Sequence, residues 1–256
     1  MTTEPLRTLQ VDALKVEVYA TREEMGRAAA SRVAQAVGAV QASRGYANVV
    51  LAAAPSQNEL LASLATLPVD WARVRAFHMD EYVGLPAQAP QAFGQFLRQR
   101  LFDRVQLAHV HYLDGNAPDM NAECRRYAAL LTAYPADVVC AGIGENGHLA
   151  FNDPPVADFA DPALVKVVAL DLASRRQQVN DGCFATLAQV PTHAVTLTIP
   201  ALMRGAAIHC VVPGPSKAVA VRAALTGGID TACPASVLRR HPGAVLYLDV
   251  ASAAQV

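Results

Sequence analysis

The chain has 256 residues, 53% hydrophobic and 17% charged, with a formal net charge of −1. So apolar a chain can bury a large core, and its scattered Lys and Arg exclude an extended nucleic-acid or anionic-membrane surface. No window approaches the ~18 uninterrupted apolar residues of a membrane span. The N-terminal MTTEPLRTLQVD lacks the regions of a secretion signal, and five cysteines without C-x-x-C spacing fit free thiols in a reducing cytoplasm.

Residues 14–19 (LKVEVY) read as a strand. Thr21 then offers an N-cap with Glu24 three residues on, a capping box. It predicts an Ala-rich helix to about residue 43, stopped at Gly45. Residues 48–53 (NVVLAA) are an apolar run of buried-strand type, and the segment after Ser56 reads as helical. Strand 74–78, helix 93–102, a short strand 109–112 and helix 121–132 follow, and then the apolar strand 137–141 (DVVCA). In the second half, 165–170, 194–198, 208–212 and 244–248 are strand candidates, with a helix at 216–225. Residues 154–162, containing Pro and Asp, are expected to form a mobile loop or lid. Apolar strands alternating with amphipathic helices imply a mainly parallel sheet covered on both faces. The expected fold is therefore a single α/β domain over residues 1–256, with its ligand site at the carboxyl ends of the strands.

Four segments fall at that edge. Ala54-Pro55-Ser56-Gln57-Asn58 follows the second apolar strand; Ser56 either caps a helix and presents N–H groups to an anion, or makes an ordinary turn. Asp80 and Glu81, in His78-Met79-Asp80-Glu81-Tyr82, are adjacent carboxylates at a strand end. They suit proton transfer from an apolar wall, or a plain acidic turn. Gly142, Gly144 and Gly147 permit close approach of a ligand to the backbone. They precede His148, with Asp153 five residues later as an orienter for the ring. The glycine spacing alone leaves a dinucleotide loop open, but the segment lies mid-chain without an early β-α-β fingerprint. Lys217, in Gly214-Pro215-Ser216-Lys217, lies where a helix dipole disfavours a cation and a bound phosphate relieves the conflict. Arg175 and Arg176 form a second candidate anion clamp or a helix-surface pair. His109 and His111 share a strand face, but no third ligand stands at zinc spacing, so no metal is expected.

Taken in order, FHMDEYVGLP (77–86), LDGNAPD (113–119), GIGENGHLAFNDP (142–154), VPTHAVTLTIPAL (190–202) and GPSKAVAV (214–221) resemble glucosamine-6-phosphate deaminases. The wider group includes 6-phosphogluconolactonases and ribose-5-phosphate isomerases. The resemblance spans about residues 14–250. It implies a modified doubly wound, Rossmann-like sheet and a cofactor-free isomerisation with deamination of a small phosphorylated amino sugar. It gives Asp80 the proton shuttle between C2 and C1. His148 opens the ring with Asp153, and Asn146 holds the histidine. Lys217 binds phosphate with Arg175 or Arg176. Ser56, Gln57, Glu81, Gly144 and Gly147 complete the expected substrate contacts.

Three departures stand out. Ala-Pro-Ser-Gln-Asn replaces the family's Thr-Gly-rich turn. Asp153 replaces the usual Glu, a shorter reach by one methylene. Asn146 stands where some members carry Asp, and a neutral amide cannot stabilise a charged ring as an acid would. The stretch after Pro154 lacks the Ser, Arg and Lys pattern of allosteric members. Two rivals stay open: a lactonase in which His148 activates water, and a sugar-phosphate sensor without turnover. Tyr82 and the LAFNDP continuation after His148 favour the deaminase over the lactonase. The expected setting is cytoplasmic, with no nucleic-acid or membrane partner; a homo-oligomer is compatible with the sequence.

Overall fold

The computed structural model describes residues 4–256. The chain opens on a hairpin of β1 (Arg7–Val11) and β2 (Leu14–Tyr19), turned at Asp12, whose φ of 51° is left-handed as tight hairpins demand. β1 was not among the expected strands, because RTLQV is a half-exposed edge with no apolar run. Helix α1 (Arg22–Arg44) follows, with Thr21 accepting the Glu24 N–H at 3.1 Å and Gly45 ending it at φ 85°. Then come β3 (Ala47–Leu51), a 3-10 turn (Pro55–Gln57), α2 (Asn58–Leu64), β4 (Val74–His78), β5 (Asp80–Tyr82), α3 (Phe93–Arg100), β6 (His109–His111), α4 (Met120–Ala133) and β7 (Val138–Ala141). The second half holds β8 (Val165–Ala169), α5 (Leu172–Asn180), β9 (His193–Leu197), α6 (Ile199–Leu202), β10 (Ala207–Val212), α7 (Ala218–Thr226) and β11 (Ala244–Asp249).

The main sheet runs β1-β2-β11-β10-β7-β3-β4-β6, parallel except for β1. Period-two alternation splits its residues between two cores. Val49, Leu51, Val138 and Cys140 face α1, α2 and α3, whereas Val50, Val139 and Ala141 face α4 and α7. Counted outward from β3, the strands from β6 to β11 follow the doubly wound order, with the reversal between β3 and β7. Ligands of such sheets bind at the carboxyl ends beside that reversal.

Two expected strands do not join the main sheet. β8 and β9 form a separate antiparallel sheet with β5, ordered β5-β9-β8. Sequence pattern assigns strands but not partners, so this second sheet was illegible. Residues 154–162 are not a free strap in this structure. Val156 and Ala157 donate to the Asp153 carbonyl, and Lys166 Nζ bonds both the Val156 carbonyl and the Asp161 carboxylate.

Candidate active site

The reversal point opens a cleft lined by Ala52–Ala54 after β3, Met79 and Asp80 after β4, Gly142–Gly144 after β7, and Lys217 after β10. Four strand ends thus deliver the residues, and His148, Ala150, Phe151, Gln177 and Gln178 close it.

Asp80 opens β5, opposite Thr196 of β9. It is 7% exposed, and no donor among the described residues bonds its carboxylate. Burial, helped by the neighbouring Glu81 charge, holds its pKa well above the ordinary carboxylate value. Glu81 points elsewhere. Its carboxylate accepts the N–H groups of Tyr82, Phe93 and Gly94 at 2.9–3.1 Å, capping α3. Glu81 therefore caps a helix and is not one of the residues lining the cleft, contrary to the expected substrate contact.

His148 is fixed from one side. Its Nδ1 lies 2.7 Å from Asn146 Oδ1, 2.9 Å from Asp153 Oδ1 and 2.9 Å from Ser174 Oγ. The first two accept only, so Nδ1 carries the proton and Nε2 is the basic nitrogen. Asn146 Nδ2 and Ser174 Oγ also donate to Asp153 Oδ1. Burial opposes ionisation of Asp153, but its bond to His148 and those from Asn146 and Ser174 prevail and hold it down at about 2. The shorter carboxylate thus reaches the ring with a hydroxyl beside it. Gly144 lies under the imidazole: a Cβ there would sit 2.1–2.3 Å from ring atoms. Gly147 turns the loop at φ 84°, against Cys233, and does not line the cleft.

Lys217 ends a 3-10 turn (Pro215–Lys217) before α7 and is 5% exposed. It has no ion pair within 4 Å among the described residues. Burial lowers its pKa, against the pull of Asp181 and Glu145. A buried cation without a partner is a costly arrangement that a bound anion relieves. Gln57 is held by donation to the Val211 carbonyl at 3.2 Å, with Ser56 Oγ 3.1 Å from the same amide nitrogen. Its buried Oε1 has no partner among the described residues. Gln57 therefore offers the cleft an acceptor for a hydroxyl.

The arginines are not brought to the cleft. Arg175 donates to the carbonyls of Leu187 and Val190, and Arg176 is exposed. Neither lines the cavity, so the expected clamp is not formed in this structure. The same helix instead sends Ser174, Gln177 and Gln178 inward. Their i, i+3, i+4 spacing places them on one face, a signal that was present in SRRQQ but outweighed by the arginine pair. Gln177 also accepts the Glu145 N–H at 2.8 Å, tying α5 to the glycine loop. His109 and His111 stack on edge strand β6, away from the cleft.

A doubly wound sheet with a buried acid, an oriented histidine and a buried lysine at its reversal defines an enzyme site for a small anionic substrate. Residues 20–247 match the family described as glucosamine-6-phosphate isomerases/6-phosphogluconolactonase, and the chain belongs to that family. A glucosamine-6-phosphate deaminase of Bacillus cytotoxicus is 34% identical over 207 residues, covering 81% of this chain and 77% of that one. One of Bacillus thuringiensis is 37% identical over 181 residues, covering 71% and 67%. A solved structure described as a monomeric glucosamine-6-phosphate deaminase superposes with a TM-score of 0.87 at 28% identity, covering 94% of this chain and 99% of the other. A 6-phosphogluconolactonase from Shewanella baltica, at 19% identity and a TM-score of 0.75 over 94% of this chain and 97% of its own, shares the fold.

Proposed function

We propose that the chain isomerises and deaminates a 2-amino-2-deoxyhexose 6-phosphate, glucosamine 6-phosphate being the leading substrate, to a ketose phosphate and ammonia. The observation that carries this reading is the buried Asp80 carboxylate, unbonded by any described residue, across a cleft from His148 and Lys217. A protonated amine at C2 supplies the opposite charge that Asp80 lacks and favours its ionised form; a lactone brings none. Relatives at 34–37% identity that carry the deaminase name support the same choice.

Lys217 takes the phosphate, and Gln57 and Ser56 take hydroxyls. His148 Nε2 accepts the proton of the C1 hydroxyl and returns it to the ring oxygen, which opens the ring. Asp153, Asn146 and Ser174 keep the imidazole in the required tautomer. Asp80 then removes the C2 proton, giving an enolamine, and delivers it to C1. Water adds to the resulting C2 imine, and ammonia leaves as the carbonyl forms. The test offers glucosamine 6-phosphate and 6-phosphogluconolactone separately and follows ammonia and acid release. Ammonia from the first with no hydrolysis of the second is expected. Lactone hydrolysis without ammonia would replace this reading with the lactonase.

A further inference from the structure

We infer that His78 is a positioning residue for Asp80, its imidazole fixing the backbone turn that aims the carboxylate into the cleft. This inference rests on the proposed role of Asp80. His78 is the last residue of β4, and Asp80 is the first of β5; between them the chain leaves the main sheet for the small one. The bond from Leu197 N–H to the Met79 carbonyl and that from Val83 N–H to the His193 carbonyl flank this pairing. By the alternation of antiparallel ladders, the Asp80 carbonyl then faces away from β9. His78 Nδ1 meets it at 2.9 Å.

The other ring nitrogen is committed as well. His78 Nε2 lies 2.9 Å from the Leu113 N–H, in the loop after β6. A carbonyl on one side and an N–H on the other admit a single state, the neutral ring protonated at Nδ1. Full burial keeps the ring neutral, pushing its pKa down to about 4 although the Asp80 carbonyl and Glu123 pull upward. Tyr127 Oη accepts the His78 N–H at 3.1 Å and lies 2.9 Å from its carbonyl, so the histidine is itself held. Three segments of chain are thereby locked around the residue two positions before the base, with no contact from His78 to the cleft.

Two substitutions separate positioning from packing. Asn at 78 places an amide near the Nδ1 position and preserves donation to Asp80. Gln places its amide near Nε2 and preserves only the Leu113 bond. His78→Asn is expected to keep kcat within about threefold of wild type. His78→Gln is expected to lose about 10–100-fold in kcat at nearly unchanged KM, since misplacing a reacting group by about 1 Å costs up to about 10²-fold. Equal kcat for the two variants, or a loss expressed only in KM, would overturn the inference. Nitrogen-15 spectra of the wild type give a readout independent of variant folding: the Nδ1–H tautomer is expected, and an Nε2–H tautomer would overturn it. A wild type that releases no ammonia would refute the proposed function but leave that tautomer in place.

Discussion

Asp80 carries a fold cost that its proposed chemistry explains. An acid whose pKa is raised by burial has its neutral form favoured in the folded state. That stability is fully present below the unfolded value near 4 and is lost as pH rises toward the folded value. Asp80→Asn removes the charge while keeping the shape. It should gain about 1–3 kcal/mol at neutral to alkaline pH, the scale of one relieved buried polar group. The gain should be absent below about pH 4. Melting curves at both pH values check this, and an Asn variant less stable than wild type at pH 8 would refute the burial account. Asp153 behaves oppositely. Held at about 2, it stays ionised wherever Asp80 titrates and does not contribute to the acid limb of the rate profile. The placement of Asp80, His148 and Lys217 at the cleft, with Asp153 beside the histidine, was legible from chemistry-bearing residues at strand ends. Ser174, Gln177 and Gln178 were not, because a polar helix face looks the same whether it meets water or a cleft. Glu81 was misread because a carboxylate beside a base and one capping a distant helix share the same sequence.

At the scale of elements, the cleft depends on how closely helices approach. Gly26, midway along the first half of α1, packs on the start of α2. A Cβ there would lie 2.4 Å from Glu59 Cβ and 2.7 Å from the Glu59 carbonyl carbon. Backbone cannot yield as a side-chain tip can, so Gly26→Ala must push α2 away and shift Ser56 and Gln57 immediately before it. The expected cost is about 1–3 kcal/mol, typical of overpacking, with a raised KM for the sugar phosphate. Wild-type stability and KM in that variant would show that the helices slide freely. Strand and helix positions were largely readable, as β4 at residues 74–78 illustrates. The assignment of β8 and β9 to a second sheet was not, because partner choice is decided by long-range packing around Tyr82, Phe93, Phe151 and Phe184.

For the whole molecule, the phosphate contact proposed for Lys217 would link anion binding to stability. A ligand that binds only the folded state at 100 times its Kd adds about 2.7 kcal/mol, or about 5–10 °C in Tm at this chain length. The ketose product, fructose 6-phosphate, should raise the wild-type Tm by that amount and leave Lys217→Met nearly unmoved. Equal shifts in both would place the phosphate elsewhere. The most direct test follows the C2–H bond that Asp80 is proposed to break. Glucosamine 6-phosphate deuterated at C2 is turned over by wild type and by Asp80→Asn, with ammonia and the C1 and C2 positions of the product read together. Loss of the C2 deuteron in every wild-type turnover, one ammonia per ketose phosphate, and a rate about 10²–10⁴-fold lower in Asp80→Asn are expected. Wild-type turnover by an Asp80→Asn chain that still breaks the C2 bond would contradict the role proposed for Asp80.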